Sequence, residues 1–272
     1  MLSAMNWCAA VVIGLVVFAG CGGSAKGHAS TSSTAPTSTS GSVSPGASLL
    51  AVREIGDPPL GAPFPAALHA TYPQVSGDGL DLSRVNSALR SIFVSDERSF
   101  AHGEPGPCTT QCASAFYRSV ADVTIASTSV VSVMASVEGF YPGAAHPYQH
   151  WLAVTVQVPS GRRLRLADLF QTPLGALQLI APVVRTKLKG DPCIAQSWQG
   201  ISPDAFATGI NPTPQNYSNI ALTPNALEIG IDQGQTAAEA CGSRKVLVPW
   251  SAVRSPLTSL GTQLVAALAP PH

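Results

Sequence analysis

The chain predicts an α+β fold in which a mostly antiparallel sheet packs with two main helices. Three observations carry this. Runs rich in Val, Ile, Thr and Ser with short-period alternation recur between Phe116 and Gln157 and again between Asn219 and Trp250, the pattern of half-buried strands. Two segments, 81–100 and 172–190, instead repeat apolar side chains at helical spacing. The strands follow one another across Gly, Pro, Ser and Asn turns rather than alternating singly with helices, which separates α+β from a parallel α/β sheet.

In chain order, Ala9 to Gly20 is an apolar run of about twelve residues, shorter than the ~20 that span a bilayer and suited to a signal-peptide core. It ends in Phe18-Ala19-Gly20-Cys21, which resembles the lipobox of bacterial lipoproteins. That resemblance implies cleavage before Cys21 and acylation of its sulfur and amino group. The competing reading is a plain secretory signal cut further on. The next stretch, "GGSAKGHASTSSTAPTSTSGSVSPGAS", has too few apolar side chains to offset the entropy of ordering. The organisation expected is a signal over 1–20, a lipidated cysteine and Ser/Thr/Gly/Pro tether over 21–57, and a single domain over 58–272.

Within the domain, "DLSRVNSALRSIFVSDERSF" places Val85, Leu89, Ile92 or Phe93, and Phe100 on one face of a helix capped by Asp81 or Ser83. "FYRSVADVTIASTSVVSVMASVEGFY" reads as two antiparallel strands joined near Ala126 to Ser129. "HWLAVTVQVPSGRRLRLADLF" continues as a hairpin turning at Pro159-Ser160-Gly161. Thr172-Pro173 opens a second helix with Leu177, Ala181, Val184 and Leu188 on its apolar face, which Pro182 is expected to kink or shorten. A Pro- and Asn-rich loop leads to strand, turn and strand in "NIALTPNALEIGID", a further strand in "RKVLVPW", and a short closing helix.

Apart from Cys8 and Cys21, the chain has Cys108, Cys112, Cys193 and Cys241. An even set in an exported chain reads as disulfides. Of the three possible pairings, Cys108 with Cys112 and Cys193 with Cys241 is favoured, because "PGPCTTQCAS" supplies a tight loop. A four-thiolate zinc site is the competing reading, and the chain lacks the second paired knuckle of such sites. The formal charge is zero and charged residues make up 11%, against ~25% in ordinary domains, so no field draws the chain to nucleic acid.

The succession of "TYPQVSGDGLDLSRVN", "GFYPGAAHP", "VPSGRRLRLADLF", "NIALTPNALEIGID" and "GSRKVLVPWSAV" resembles an exported family. Its members include the extracytoplasmic part of the anti-sigma factor RsiV, the accessory region of the peptidoglycan deacetylase PdaC and a secreted mycobacterial immunogenic antigen. The resemblance implies an α+β fold, a recognition role at the cell envelope and no catalytic residues. It extends in one member to lysozyme binding. Lysozymes are strongly basic, however, and a neutral domain with Arg162, Arg163 and Arg165 on one hairpin offers them no complementary field.

The chemistry-bearing stretch is "EGFYPGAAHPYQHW", Glu138 to Trp151, with two histidines four residues apart. Pro142 and Pro147 forbid the helix on which His146 and His150 would converge on one metal ion. The expected structure is a turn at Tyr141-Pro142-Gly143, His146 bonded to the loop backbone, and Trp151 at the start of a strand with its ring in the core. No nucleophile elbow or phosphate loop is present in the sequence. The function expected is therefore that of a non-catalytic recognition domain, not an enzyme and without cofactor or metal. Lipid-anchored to the outer face of the cytoplasmic membrane, it binds an envelope protein or peptidoglycan. Tyr141, His146, Tyr148, Arg162, Arg163 and Arg165 are its candidate contacts. The alternatives are a wall-active hydrolase using clustered carboxylates and a small-molecule carrier with an apolar pocket.

Overall fold

The structure, a computed structural model, describes residues 50–60, 68–103, 115–142, 144–200, 208–253 and 256–268. The signal segment, Cys21, Cys108 and Cys112 lie outside the described residues. The fold is α+β, with antiparallel sheets throughout. β1 (Ala51–Gly56) pairs with β2 (Thr71–Ser76). A larger sheet follows the order β3 (Phe116–Ala126), β4 (Val130–Phe140), β5 (Tyr148–Gln157), β6 (Arg162–Leu164). A third sheet holds β7 (Ile220–Leu222), β8 (Ala226–Ile231) and β9 (Arg244–Pro249).

β1 corrects the expected tether boundary, because residues 51–56 are strand and Asp57 is buried in an ion pair with Arg90 at 2.7 Å. The two longest helices are α1 (Ser83–His102) and α3 (Pro173–Lys189). Asp81 Oδ1 accepts the Ser83 N–H ahead of α1. Pro182 does not shorten α3: it and Gln178, whose carbonyl it frees, face solvent, while Ile180, Ala181 and Val184 are buried and hold the turn in place. Residues expected to prolong the β5–β6 hairpin instead form a one-turn α2 (Leu166–Leu169), where Asp168 Oδ2 accepts the Arg165 N–H. α4 (Pro192–Gly200) was not expected, and α5 (Ser259–Leu268) closes the chain as expected.

Two hydrophobic cores result. In the first, Val85, Leu89 and Phe93 of α1 pack with β2 and with Val131, Val133, Ala135, Val137, Val154 and Val156 of the large sheet. The second joins α3, α4 and α5 to Leu227, Ile229, Ile231, Val246 and Val248. Between them β7 and β8 lie against β4 and β5 across a seam of small and polar groups. There Ser132 Oγ accepts the Leu222 N–H at 2.7 Å and lies 3.0 Å from Thr155 Oγ1. A Cβ on Gly230 would lie 2.6 Å from Cβ of Trp151, so only glycine admits the indole there.

Cys193 and Cys241 form the expected disulfide, with Cα atoms 5.7 Å apart. The same corner is tied twice more. Asp191 Oδ1 accepts the N–H groups of Cys193 and Ile194 as the cap of α4, and Asp191 Oδ2 accepts from Arg244 Nε at 2.7 Å. The Arg244 hydrogen bond holds the Asp191 carboxyl below its ordinary range.

Candidate functional site

The expected contact residues fall at the two ends of β5. Ten residues at ~3.3 Å each put those ends about 30 Å apart. Tyr141, His146 and Tyr148 gather at the entry of the strand, and Arg162, Arg163 and Arg165 at its exit. They do not form one surface.

At the entry, Ala144 N–H donates to Tyr141 O, which closes the expected turn, while Gly143 lies outside the described residues. Tyr141 is half-buried, its ring stacked on Phe100 at 4.1 Å. Burial pushes its phenol up to about 12, and the hydroxyl finds no partner among the described residues. Gly139 is what admits Phe100, since a Cβ there would lie 2.3 Å from the ring. Tyr141 is therefore part of the support of this corner. The exposed ring is Tyr148, 49% accessible.

Beneath Tyr148 lies a group that sequence reasoning did not assemble. The ring of His150 stacks on Tyr148 at 5.1 Å, and its Nε2 lies 2.9 Å from Asp96 Oδ2. The same oxygen accepts the Tyr117 hydroxyl at 2.8 Å. Burial and the Asp96 charge push the Tyr117 phenol far up, so it stays a neutral donor. His150 Nδ1 is buried without a partner among the described residues. Next to it on α1, Glu97 is fully buried and burial raises its carboxyl. The sequence did carry a signal for Glu97: it occupies the next position of the Val85, Leu89, Phe93 stripe.

The connection after β8 fastens the other side. Trp151 N–H donates to Asp232 Oδ1 at 2.8 Å, Gln149 N–H donates to Gln233 Oε1, and Gln233 N–H returns to Gln149 O. Burial pushes the Asp232 carboxyl up. His146 is exposed, with Nε2 3.2 Å from Glu239 Oε2 and Nδ1 3.0 Å from Pro147 O, the loop-backbone contact expected of it. His146 and His150 thus turn to separate carboxylates. Trp151 is half-buried rather than within the core, under Lys245 Nζ at 5.5 Å. Lys245 is itself paired with Glu228 at 2.8 Å.

At the exit of β5, Gly161 with φ of 70° completes the turn that Pro159 and Ser160 begin. Arg162 pairs with Asp168. Arg163 and Arg165 border a cavity of about 540 Å³ between β5, β6, α2, α3 and β7. Among the described residues neither forms an ion pair, and no group of three or more His, Cys, Asp or Glu side chains is placed to hold a metal ion. No helix among them is long and apolar enough to cross a membrane.

Comparison with known proteins gives a family description without an activity. Residues 167–251, from α2 through β9, match the family described as Protein of unknown function (DUF3298). No curated protein matches the chain. Among solved structures, a member of that family from Bacteroides fragilis is similar at 14% identity and TM-score 0.52, over 82% of this chain and 99% of that one. A DUF3298 family protein from Pseudomonas aeruginosa gives 14% identity and TM-score 0.46, over 82% and 96%. The likeness to the Bacteroides protein at this identity is one of fold, and the matched residues 167–251 include α3, α4 and the small sheet.

Proposed function

We propose that this chain is a lipid-anchored protein of the cell envelope whose domain recognises an envelope protein or peptidoglycan and performs no chemistry of its own. The observation that carries the reading is Tyr148, a half-exposed ring resting on His150, which Asp96 and Tyr117 hold in place. An aromatic side chain with its rotamer already fixed loses little entropy on binding, which is how interface anchors work. The lipobox-like run before Cys21, the polar tether and the resemblance to the RsiV and PdaC regions support the envelope. The Cys193–Cys241 disulfide suits an oxidising compartment.

Two experiments test this. Replacing Cys21 with Ser should move the protein from the membrane fraction to the soluble one, and a variant that stays membrane-bound removes the anchor. Saturable binding to isolated envelope should weaken about 30-fold on Tyr148→Ala with the unfolding midpoint unchanged. Unaltered binding, or turnover of wall glycan, ester or peptide by the purified chain, overturns the recognition reading.

A further inference from the structure

We propose that the exposed face of α1, with Arg163 of the β5–β6 hairpin beside it, docks an extended polyol phosphate chain of the cell wall. Its phosphates lie at Arg84, Arg98 and Arg163 and its hydroxyl groups at the serines between them. The wall as the source of that chain rests on the envelope reading above, while the face is defined by its own residues. Every exposed position of α1 is Ser, Arg or His. Serines recur at four-residue intervals, Ser83, Ser87, Ser91, Ser95 and Ser99, and Arg84, Arg90, Arg98 and His102 stand alongside them. A helix face that is merely solvated mixes charges of both signs, because Glu and Lys four residues apart stabilise each other. This one carries a single sign, in a chain with 15 basic and 15 acidic residues. The two acids of α1 are engaged elsewhere: Glu97 is buried, and Asp96 holds Tyr117 and His150.

β6 adds to the same face. Arg163 pairs in register with Val156, which packs in the core that α1 covers, so both side chains point to that side of the sheet. Gly161 lets the hairpin approach, since a Cβ there would lie 2.5 Å from Cβ of Arg84. Arg84 and Arg163 then share one open groove with Ser83, Ser87 and Ser91. Ser91 also lines the next groove, which runs on to Arg98 and His102, and no Asp or Glu lines either. Among the described residues Arg84, Arg98 and Arg163 form no ion pair. Arg90 is held by Asp57, and Asp81, the acid near Arg84, accepts the Ser83 N–H.

The length of the face decides the occupant. Arg84 and Arg98 stand roughly 21 Å apart along the helix, too far for one small anion to reach both. The planar fork of arginine matches a phosphate, and the serine hydroxyls between the arginines match the hydroxyls of a polyol, so a chain that alternates the two fits the row. No Phe, Tyr or Trp lines either groove to stack a nucleic-acid base. A bilayer is a plane, and it cannot follow a groove between a helix and a hairpin.

The test uses the full chain carrying Cys21→Ser, titrated calorimetrically with a glycerol phosphate oligomer long enough to span α1. Binding should be saturable and should weaken about tenfold between ~50 and ~200 mM salt. Arg84→Gln, Arg98→Gln and Arg163→Gln together should weaken it at least about 30-fold, and Ser95→Glu, which sets a like charge on the face, about tenfold. These positions are exposed, so each variant should keep the parent's unfolding midpoint, measured alongside. Glycerol 3-phosphate by itself should bind at least about 100-fold more weakly than the oligomer. Tyr148→Ala should leave oligomer binding unchanged, so failure of the ring as a contact and failure of this face are read separately. No saturable binding, equal binding of glycerol 3-phosphate or of neutral dextran, or indifference to the arginine triple overturns the proposal. Tighter binding of polyglutamate, single-stranded DNA or phosphatidylglycerol vesicles assigns the face to a different partner and overturns it as well.

Discussion

The entry and the exit of β5 are ten residues of one strand, built on opposite plans. At the entry the surface is tied by pairs within the chain, His150 with Asp96, Trp151 N–H with Asp232, Gln149 with Gln233 and His146 with Glu239, and the groups left without a partner among the described residues, the Tyr141 hydroxyl, His150 Nδ1 and Trp151 Nε1, lie buried beneath it. At the exit Arg163 and Arg165 form no ion pair among the described residues, and Arg163 pairs in register with Val156 on the face of the sheet that α1 covers. A surface already satisfied recognises by shape and by the one ring it exposes. A surface left unsatisfied takes its definition from what fills it.

The largest expected effect separates the supports of the two ends. Cys193 and Cys241 are 48 residues apart in sequence, and removing that crosslink by a double Cys→Ser change should cost about 4 kcal/mol. Hydrogen exchange should then quicken in α3 and α4, beside the cavity, before it quickens in Tyr148–Trp151. Uniform quickening would break the distinction. Next, Asp96→Ala leaves the Tyr117 hydroxyl and His150 Nε2 buried without their acceptor and should cost about 2 to 3 kcal/mol, whereas Asp96→Asn, which retains an acceptor, should cost less.

Glu97 gives a pH test on the entry side. Its folded carboxyl titrates above its ordinary value of 4.5 because of burial. The folded chain therefore holds a proton that the unfolded chain has released. Stability from this group is greatest below that value and declines as pH rises through the folded pKa. Glu97→Gln should thus raise stability by about 1 kcal/mol at pH 8 and leave it unchanged near pH 3. A variant less stable at pH 8 would mean that the charged form is the one the fold prefers. Smallest of all, Arg163→Ala with Arg165→Ala should shift stability by no more than about 0.5 kcal/mol in either direction. A large loss there would show that the rim is fastened as tightly as the entry.

Local signals were legible in the sequence. Alternation found β3, β4, β5, β8 and β9, the Pro-Ser-Gly turn fixed the β5–β6 connection, and the helical stripes found α1 and α3. β1 was hidden because its residues 51–56 are nearly all exposed on the edge of a two-stranded sheet and follow a Ser- and Pro-rich segment. Pro73 in β2 is tolerated because only one side of that strand needs to pair. The candidate site was less legible. Asp96 and His150 are 54 residues apart, and no spacing rule joins a residue on a helix to one on a distant strand. The cavity is a property of five elements together, β5, β6, α2, α3 and β7, so no single stretch of the sequence shows it.

The seam between the sheets bears on how separable the halves of this chain are. The amide of Leu222, on the strand that opens the small sheet, donates to Ser132 on β4, and Trp151 of β5 occupies the notch left by Gly230. A fragment cut to residues 167–268 would carry an orphaned amide and an empty notch on a face made to meet another sheet. Expressed by itself it should aggregate or stay unfolded. Only when supplied with residues 50–166 in trans should it regain its shape, as the two pieces of a split protein do.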